Sequence, residues 1–113
     1  MAVSPEYREF VLEALERVVP VTSRAMFGGV GIYSEGVIFA LIADDTVYFK
    51  VDDSNRPDFE RVGCGPFLPF GDASKPMQYY ELPAELLESP DEARPWVEKA
   101  IAVARAAGRR RQK

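Results

Sequence analysis

The stretch Arg24-Ala25-Met26-Phe27-Gly28-Gly29-Val30-Gly31-Ile32-Tyr33 carries three glycines, the residue type from which a phosphate-cradling loop is built. Such a loop has to open a helix, whose free N–H groups and dipole hold the anion. Here Ser34-Glu35-Gly36 instead turns the chain into Val37-Ile38-Phe39-Ala40-Leu41-Ile42, which reads as a second strand. The nucleotide-site reading fails on that context. The spacing predicts a strand over 25–33 in which Gly29 and Gly31 share a face. They clear room there for a helix, a bulge or a neighbouring sheet, and the same bare patch can accept a ligand or a partner strand.

The remaining reactive groups are sparse. Cys64 is the single cysteine and histidine is absent, which excludes an internal disulfide, Cys-His and Ser-His nucleophile pairs, and the commonest transition-metal ligand. With only Arg61 near it in sequence, Cys64 lacks the electropositive setting that lowers a thiol pKa, and it reads as a plain, partly buried residue. Asp44-Asp45 and Asp52-Asp53 resemble hard-cation ligands. Their spacing lacks the central glycine and terminal glutamate of a calcium loop, so turn chemistry explains them better. Tyr48, Phe67, Phe70, Tyr79 and Tyr80 could stack nucleic-acid bases, but only Lys50 and Lys75 lie among them, and core packing plus a half-exposed sheet face is the simpler reading. An enzymatic alternative rests on a carboxylate beside a phenol, such as Glu81 next to Tyr79 or Tyr80, and requires a deep pocket.

At 113 residues the chain fits one domain, 1–113, with residues 105–113 as a basic tail. No stretch approaches the roughly 18 apolar residues of a membrane helix, and the N-terminus has no signal-peptide pattern, so a cytoplasmic protein is expected. The formal charge of −4 is uneven: residues 1–104 hold all 18 acidic side chains against nine basic ones, while Arg105, Arg109, Arg110, Arg111 and Lys113 are all cationic. An acidic body repels a phosphate backbone. Nucleic-acid affinity is therefore expected to be weak and confined to Arg109, Arg110 and Arg111, which also suit a helix end as dipole-compensating cations.

The elements that must position these groups follow from periodicity. Ser4-Pro5 starts a helix over 5–19, with Tyr7, Phe10, Val11, Ala14, Leu15 and Val18 on its apolar face and Pro20 beyond its end. Strands are expected over 25–33, 37–43 and 46–51. A short helix follows Asp52-Asp53-Ser54 and stops at Gly63; extended segments cover 66–70 and 77–82, with a loop between, and a brief helical turn covers 83–88. Ser89-Pro90-Asp91-Glu92 opens a last helix through Trp96, Val97, Ala100, Ile101 and Ala104, with Gly108 as its stop. Pro95 implies either a later start or a kink. Trp96 and Phe10 are expected in one core. The strand over 37–43 is apolar on both faces. If Val37, Phe39 and Leu41 face the helices, then Ile38, Ala40 and Ile42 point away and call for cover, for which a second copy is the simplest candidate.

Four stretches resemble the N-terminal domain of the TfoX/Sxy competence regulators: Arg24 to Tyr33; Phe49-Lys50-Val51-Asp52; Pro66-Phe67; and Tyr79-Tyr80-Glu81-Leu82-Pro83 before Leu86-Leu87-Glu88-Ser89-Pro90. The resemblance implies a two-layer α+β domain, an antiparallel five-stranded sheet with helices on one face in the order α-β-β-β-α-β-β-α, laid out like secretion chaperones. It implies a non-enzymatic regulatory module that acts on transcription through a protein partner, as full-length competence regulators assist an activator at promoters of DNA-uptake genes. The chain departs from the full-length regulators in one respect: it is expected to end about where that N-terminal domain ends, without their C-terminal domain. No catalytic, cofactor-binding or metal-binding residue is carried over. Arg24, Met26, Gly29, Gly31, Ile38, Ile42, Tyr79 and Tyr80 form the expected interaction surface, and a homodimer is expected.

Overall fold

Ser4 caps the first helix, α1 (Pro5–Glu16), its Oγ accepting the Tyr7 N–H at 3.2 Å, and Pro5 sits in the first turn where a missing N–H costs nothing. Val11, Ala14 and Leu15 are buried. Phe10 is 44% exposed. It lies one residue from Val11, about 100° around the helix, which takes it off the buried stripe and out of the core it was expected to share with Trp96. The computed structural model describes residues 3–26, 29–67 and 78–111, with the backbone alone at 26 and 108–111.

Five strands follow as an antiparallel meander: β1 (Thr22–Met26), β2 (Gly29–Ser34), β3 (Val37–Ala43), β4 (Thr46–Lys50) and β5 (Tyr79–Glu81). The glycine-rich stretch is thus two strands. Met26 pairs with Gly29, so the chain reverses between them. Two-residue turns join β2 to β3 and β3 to β4, with positive φ at Glu35 (52°), Gly36 (85°), Asp44 (54°) and Asp45 (53°), the backbone hand that matches strand twist. Asp44-Asp45 is therefore turn chemistry, and Asp45 Oδ1 also accepts the Ser4 N–H at 2.9 Å, tying this turn to α1.

The second short helix, α2 (Arg56–Arg61), starts after Asn55, which is 1% exposed. Asn55 Oδ1 accepts the Asp52 N–H at 2.9 Å and Asn55 Nδ2 donates to the Lys50 carbonyl at 3.1 Å, so one buried amide folds the end of β4 into the helix. Asp52 accepts from the Ser54 N–H and hydroxyl, and Asp53 pairs with Arg56 at 2.6 Å. After Gly63, residues 65–67 run beside β5: Phe67 N–H donates to the Tyr79 carbonyl at 2.7 Å and Glu81 N–H to the Gly65 carbonyl at 3.0 Å. The rest of the extended segment expected over 66–70, and the loop over 71–76, lie outside the described residues.

A 3-10 turn (Ala84–Glu88) leads to α3 (Pro90–Arg111), which begins at Pro90, keeps Pro95 inside it and continues past Gly108. Ala93, Val97, Ala100, Ile101 and Ala104 of α3, the buried face of α1 and Phe59 of α2 share one core cluster with Val30, Ile32, Phe39, Ala40, Ile42, Val47 and Phe49 of the sheet. All three helices therefore cover the same sheet face. Trp96 is half-buried at the edge of this core, its ring edge-on to Phe59 with centroids 4.8 Å apart.

One irregularity decides what the other face looks like. Ile32 pairs with Ala40 but Tyr33 pairs with Ile38, so Phe39 is an extra residue, a β-bulge. Phe39, Ala40 and Ile42 are all fully buried, and the Phe39 ring meets Phe49 at 5.6 Å. The strict alternation expected for β3 is corrected accordingly: Ala40 and Ile42 face the core, and Ile38 and Leu41 stay on the outer face.

Candidate interaction surface

Cross-strand pairing lines up one row across the outer sheet face. Arg24 pairs with Gly31, Gly31 with Leu41, Leu41 with Tyr48, and Tyr48 with Glu81. Side chains directly opposite in an antiparallel pair lie on the same face, so these five residues form a band from the β1 edge to the β5 edge. A guanidinium stands at one end and a carboxylate at the other, both exposed, with half-buried Leu41 and Tyr48 between them. Tyr33 and Ile38 form the neighbouring pair, and Lys50 with Tyr79 the pair beside Tyr48.

Contacts across the band are aromatic. The Arg24 guanidinium lies 5.9 Å from the Tyr33 ring centroid, reaching over side-chain-free Gly31, and the Lys50 ammonium lies 5.0 Å from the Tyr79 ring. Phe67 packs on Tyr48 at 4.8 Å. Burial, then the nearby Glu81 carboxylate, pushes the Tyr48 phenol above the ordinary tyrosine value. This is an amphipathic surface with aromatic anchors and an arginine, the residue types enriched where proteins meet.

The residues expected from the sequence divide between the two faces. Arg24 and Ile38 lie on the outer face; Gly31 and Tyr79 are on that side of the sheet but buried, Tyr79 at 6% exposure, and are corrected as exposed surface; Gly29 and Met26 sit where β1 and β2 meet, and the Met26 side chain is outside the described residues. Ile42 is corrected: it is fully buried among the helices and belongs to no surface. Tyr80 pairs with Phe49 on the core side and packs edge-on against Phe59 at 6.2 Å. The premise of a dimer through Ile38, Ala40 and Ile42 falls with the bulge. Tyr33 and Leu41 went unassigned. Their signal was the pairing with Arg24, Gly31 and Tyr48, which only the register discloses.

The other chemical candidates come apart. Glu81 is exposed on the outer band rather than recessed with a phenol. A cavity of about 600 Å³ opens instead between α1 and the β1–β2 end, lined by Val3, Pro5, Glu6, Glu9, Ala25 and Val30 among others, and none of its described lining residues is Glu81 or a tyrosine. Cys64 is half-buried, and burial, then Glu81 and Glu85, pushes its thiol above the ordinary value, away from the thiolate. Among the described residues no three of Asp, Glu and Cys gather as a metal cage, and no helix is long and apolar enough to cross a membrane. Arg105 pairs with Glu35 in the β2–β3 turn. The side chains of Arg109, Arg110 and Arg111, at the end of α3, are outside the described residues.

A five-stranded antiparallel sheet with helices on one face defines a two-layer α+β domain. The TfoX N-terminal domain model matches residues 13–104, and the chain belongs to that family. It is also similar to the DNA transformation protein TfoX1 of Aliivibrio fischeri, 39% identical over 44 residues that cover 39% of this chain and 21% of that protein. The chain therefore spans only a minor part of the relative it matches. The family is associated with regulation of competence and DNA transformation.

Proposed function

We propose that this chain is a non-enzymatic regulatory module, acting in the cytoplasm on competence-type transcription through contact with a protein partner. The observation that carries the reading is the family match over 13–104, which takes in all five strands and most of α3. The Arg24-Gly31-Leu41-Tyr48-Glu81 band supports it as the contact surface, since mixed aromatic, apolar and charged groups on a rigid sheet suit a protein partner better than a small molecule. Nucleic-acid contact in this reading is weak, salt-sensitive and restricted to the Arg109–Arg111 end of α3, because the body of the chain is acidic.

The test is a chimera in which this chain replaces the matching stretch of TfoX1 in Aliivibrio fischeri, read as transformation frequency with marker DNA. The chimera is expected to restore transformation, and Arg24→Glu with Leu41→Lys on the outer band is expected to remove it while circular dichroism stays native. A folded, expressed chimera that restores nothing would overturn the competence reading. Restoration indifferent to both substitutions would overturn the choice of surface.

A further inference from the structure

Two large apolar side chains are exposed among the described residues, Phe10 at 44% and Val62 at 54%, and their surroundings carry opposite charge. Phe10 stands on α1 among Glu6, Glu9, Glu13 and Glu16, all exposed. The one cation in that stretch, half-buried Arg8, is turned to the Ser23 hydroxyl at 2.9 Å. Val62 lines a groove of about 230 Å³ between α2 and α3, together with Asp58, Arg61, Pro95, Trp96 and Lys99. Arg61 and Lys99 have side chains 73% and 53% exposed and flank Asp58 at 3.7 and 2.7 Å, which leaves the lining with one cation in excess.

We propose that α1 of one copy docks on the α2–α3 groove of a second copy, with Phe10 entering against Val62 and Trp96 and with Glu9 and Glu13 facing Arg61 and Lys99. The groove is smaller than the roughly 300 Å³ at which small-molecule pockets begin. It suits one anchoring side chain. Its inner wall is rigid, because Trp96 is held edge-on by Phe59 at 4.8 Å, and a preorganised aromatic wall beside arginine is the make-up of an interface hot spot. The occupant is a second copy because the same molecule carries the matching anchor with the matching charge. The contact joins two different patches, so it either closes by exchange between two copies or builds a ring or chain. It uses neither the outer band nor the proposed regulatory role.

A charge-swap experiment tests it on the full chain, read by sedimentation velocity and by the emission of Trp96, the single tryptophan. The wild type is expected to gain mass with concentration, with a matching change in Trp96 emission, and to lose both at raised salt. Glu9→Lys with Glu13→Lys sets lysines against Arg61 and Lys99, and Arg61→Glu with Lys99→Glu sets glutamates against Glu9 and Glu13, so each variant alone stays monomeric. Mixed together they regain the association, since each then offers what the other's patch requires. Phe10→Ser, a change at an exposed site, removes association without altering charge, and circular dichroism confirms folding. A wild type that stays monomeric, a single variant that still associates, or a mixture of folded variants that does not recover would each overturn the proposal.

Discussion

Asn55 is the residue whose role is largest for its size. Its amide is buried, accepting from the Asp52 N–H and donating to the Lys50 carbonyl where β4 turns into α2. Asn55→Ala is expected to cost about 1–3 kcal/mol, since it removes both hydrogen bonds that this buried side chain makes to the backbone. Urea denaturation is expected to show it as a lower midpoint with an unchanged m-value. Nothing in the string Asp52-Asp53-Ser54-Asn55 singles out the fourth residue. Asp52 and Ser54 are equally good turn and cap formers, and only the direction of the chain after β4 puts Asn55 inside. The glycines were legible to a different degree: their number marked a special backbone, yet a strand with bare positions and a reversal between two strands share the same composition.

At the scale of elements, the bulge at Phe39 is the decisive feature. Under strict alternation Ile38 and Ile42 lie on the same face and respond alike to a charge; the extra residue puts Ile42 in the core and keeps Ile38 half-exposed. Ile42→Asp is therefore expected to cost about 4 kcal/mol or more, the range reached when an unpaired carboxylate is buried, and Ile38→Asp about 1 kcal/mol. Chemical denaturation of the two variants side by side checks the register, and equal losses would contradict it. The helices were more legible than the strands. A helical stripe such as Val11, Ala14, Leu15 is set by chain geometry alone, whereas β3 is apolar at every position from Val37 to Ala43, and such a run contains no sign of which residue is the extra one.

For the whole molecule, the packing of α1 against the β3–β4 end brings phenols and carboxylates from distant segments together. Tyr7 is held above the ordinary tyrosine value by burial, then by Asp45 and Glu81, and Tyr48 by burial and then Glu81. The folded state keeps these protons to higher pH than the unfolded chain does. Stability is therefore unaffected by these groups below about pH 10, the ordinary phenol value, and falls as pH rises through the raised values. Thermal melts across the alkaline range, with phenolate absorbance followed in parallel, are expected to show the midpoint dropping as the two tyrosines ionise. By itself the sequence determined the starts of α1 and α3, the turns at 35–36 and 44–45 and the α+β class, because caps, turn residues and apolar period are properties of short segments. It also determined that this chain can supply neither a catalytic histidine nor an internal disulfide, because composition is independent of shape. The band from Arg24 to Glu81, the burial of Ile42 and Asn55, and the opposed Phe10 and Val62 patches were decided only in the tertiary structure. Each depends on strand register or helix placement, and both are set by the summed packing of segments far apart in the chain.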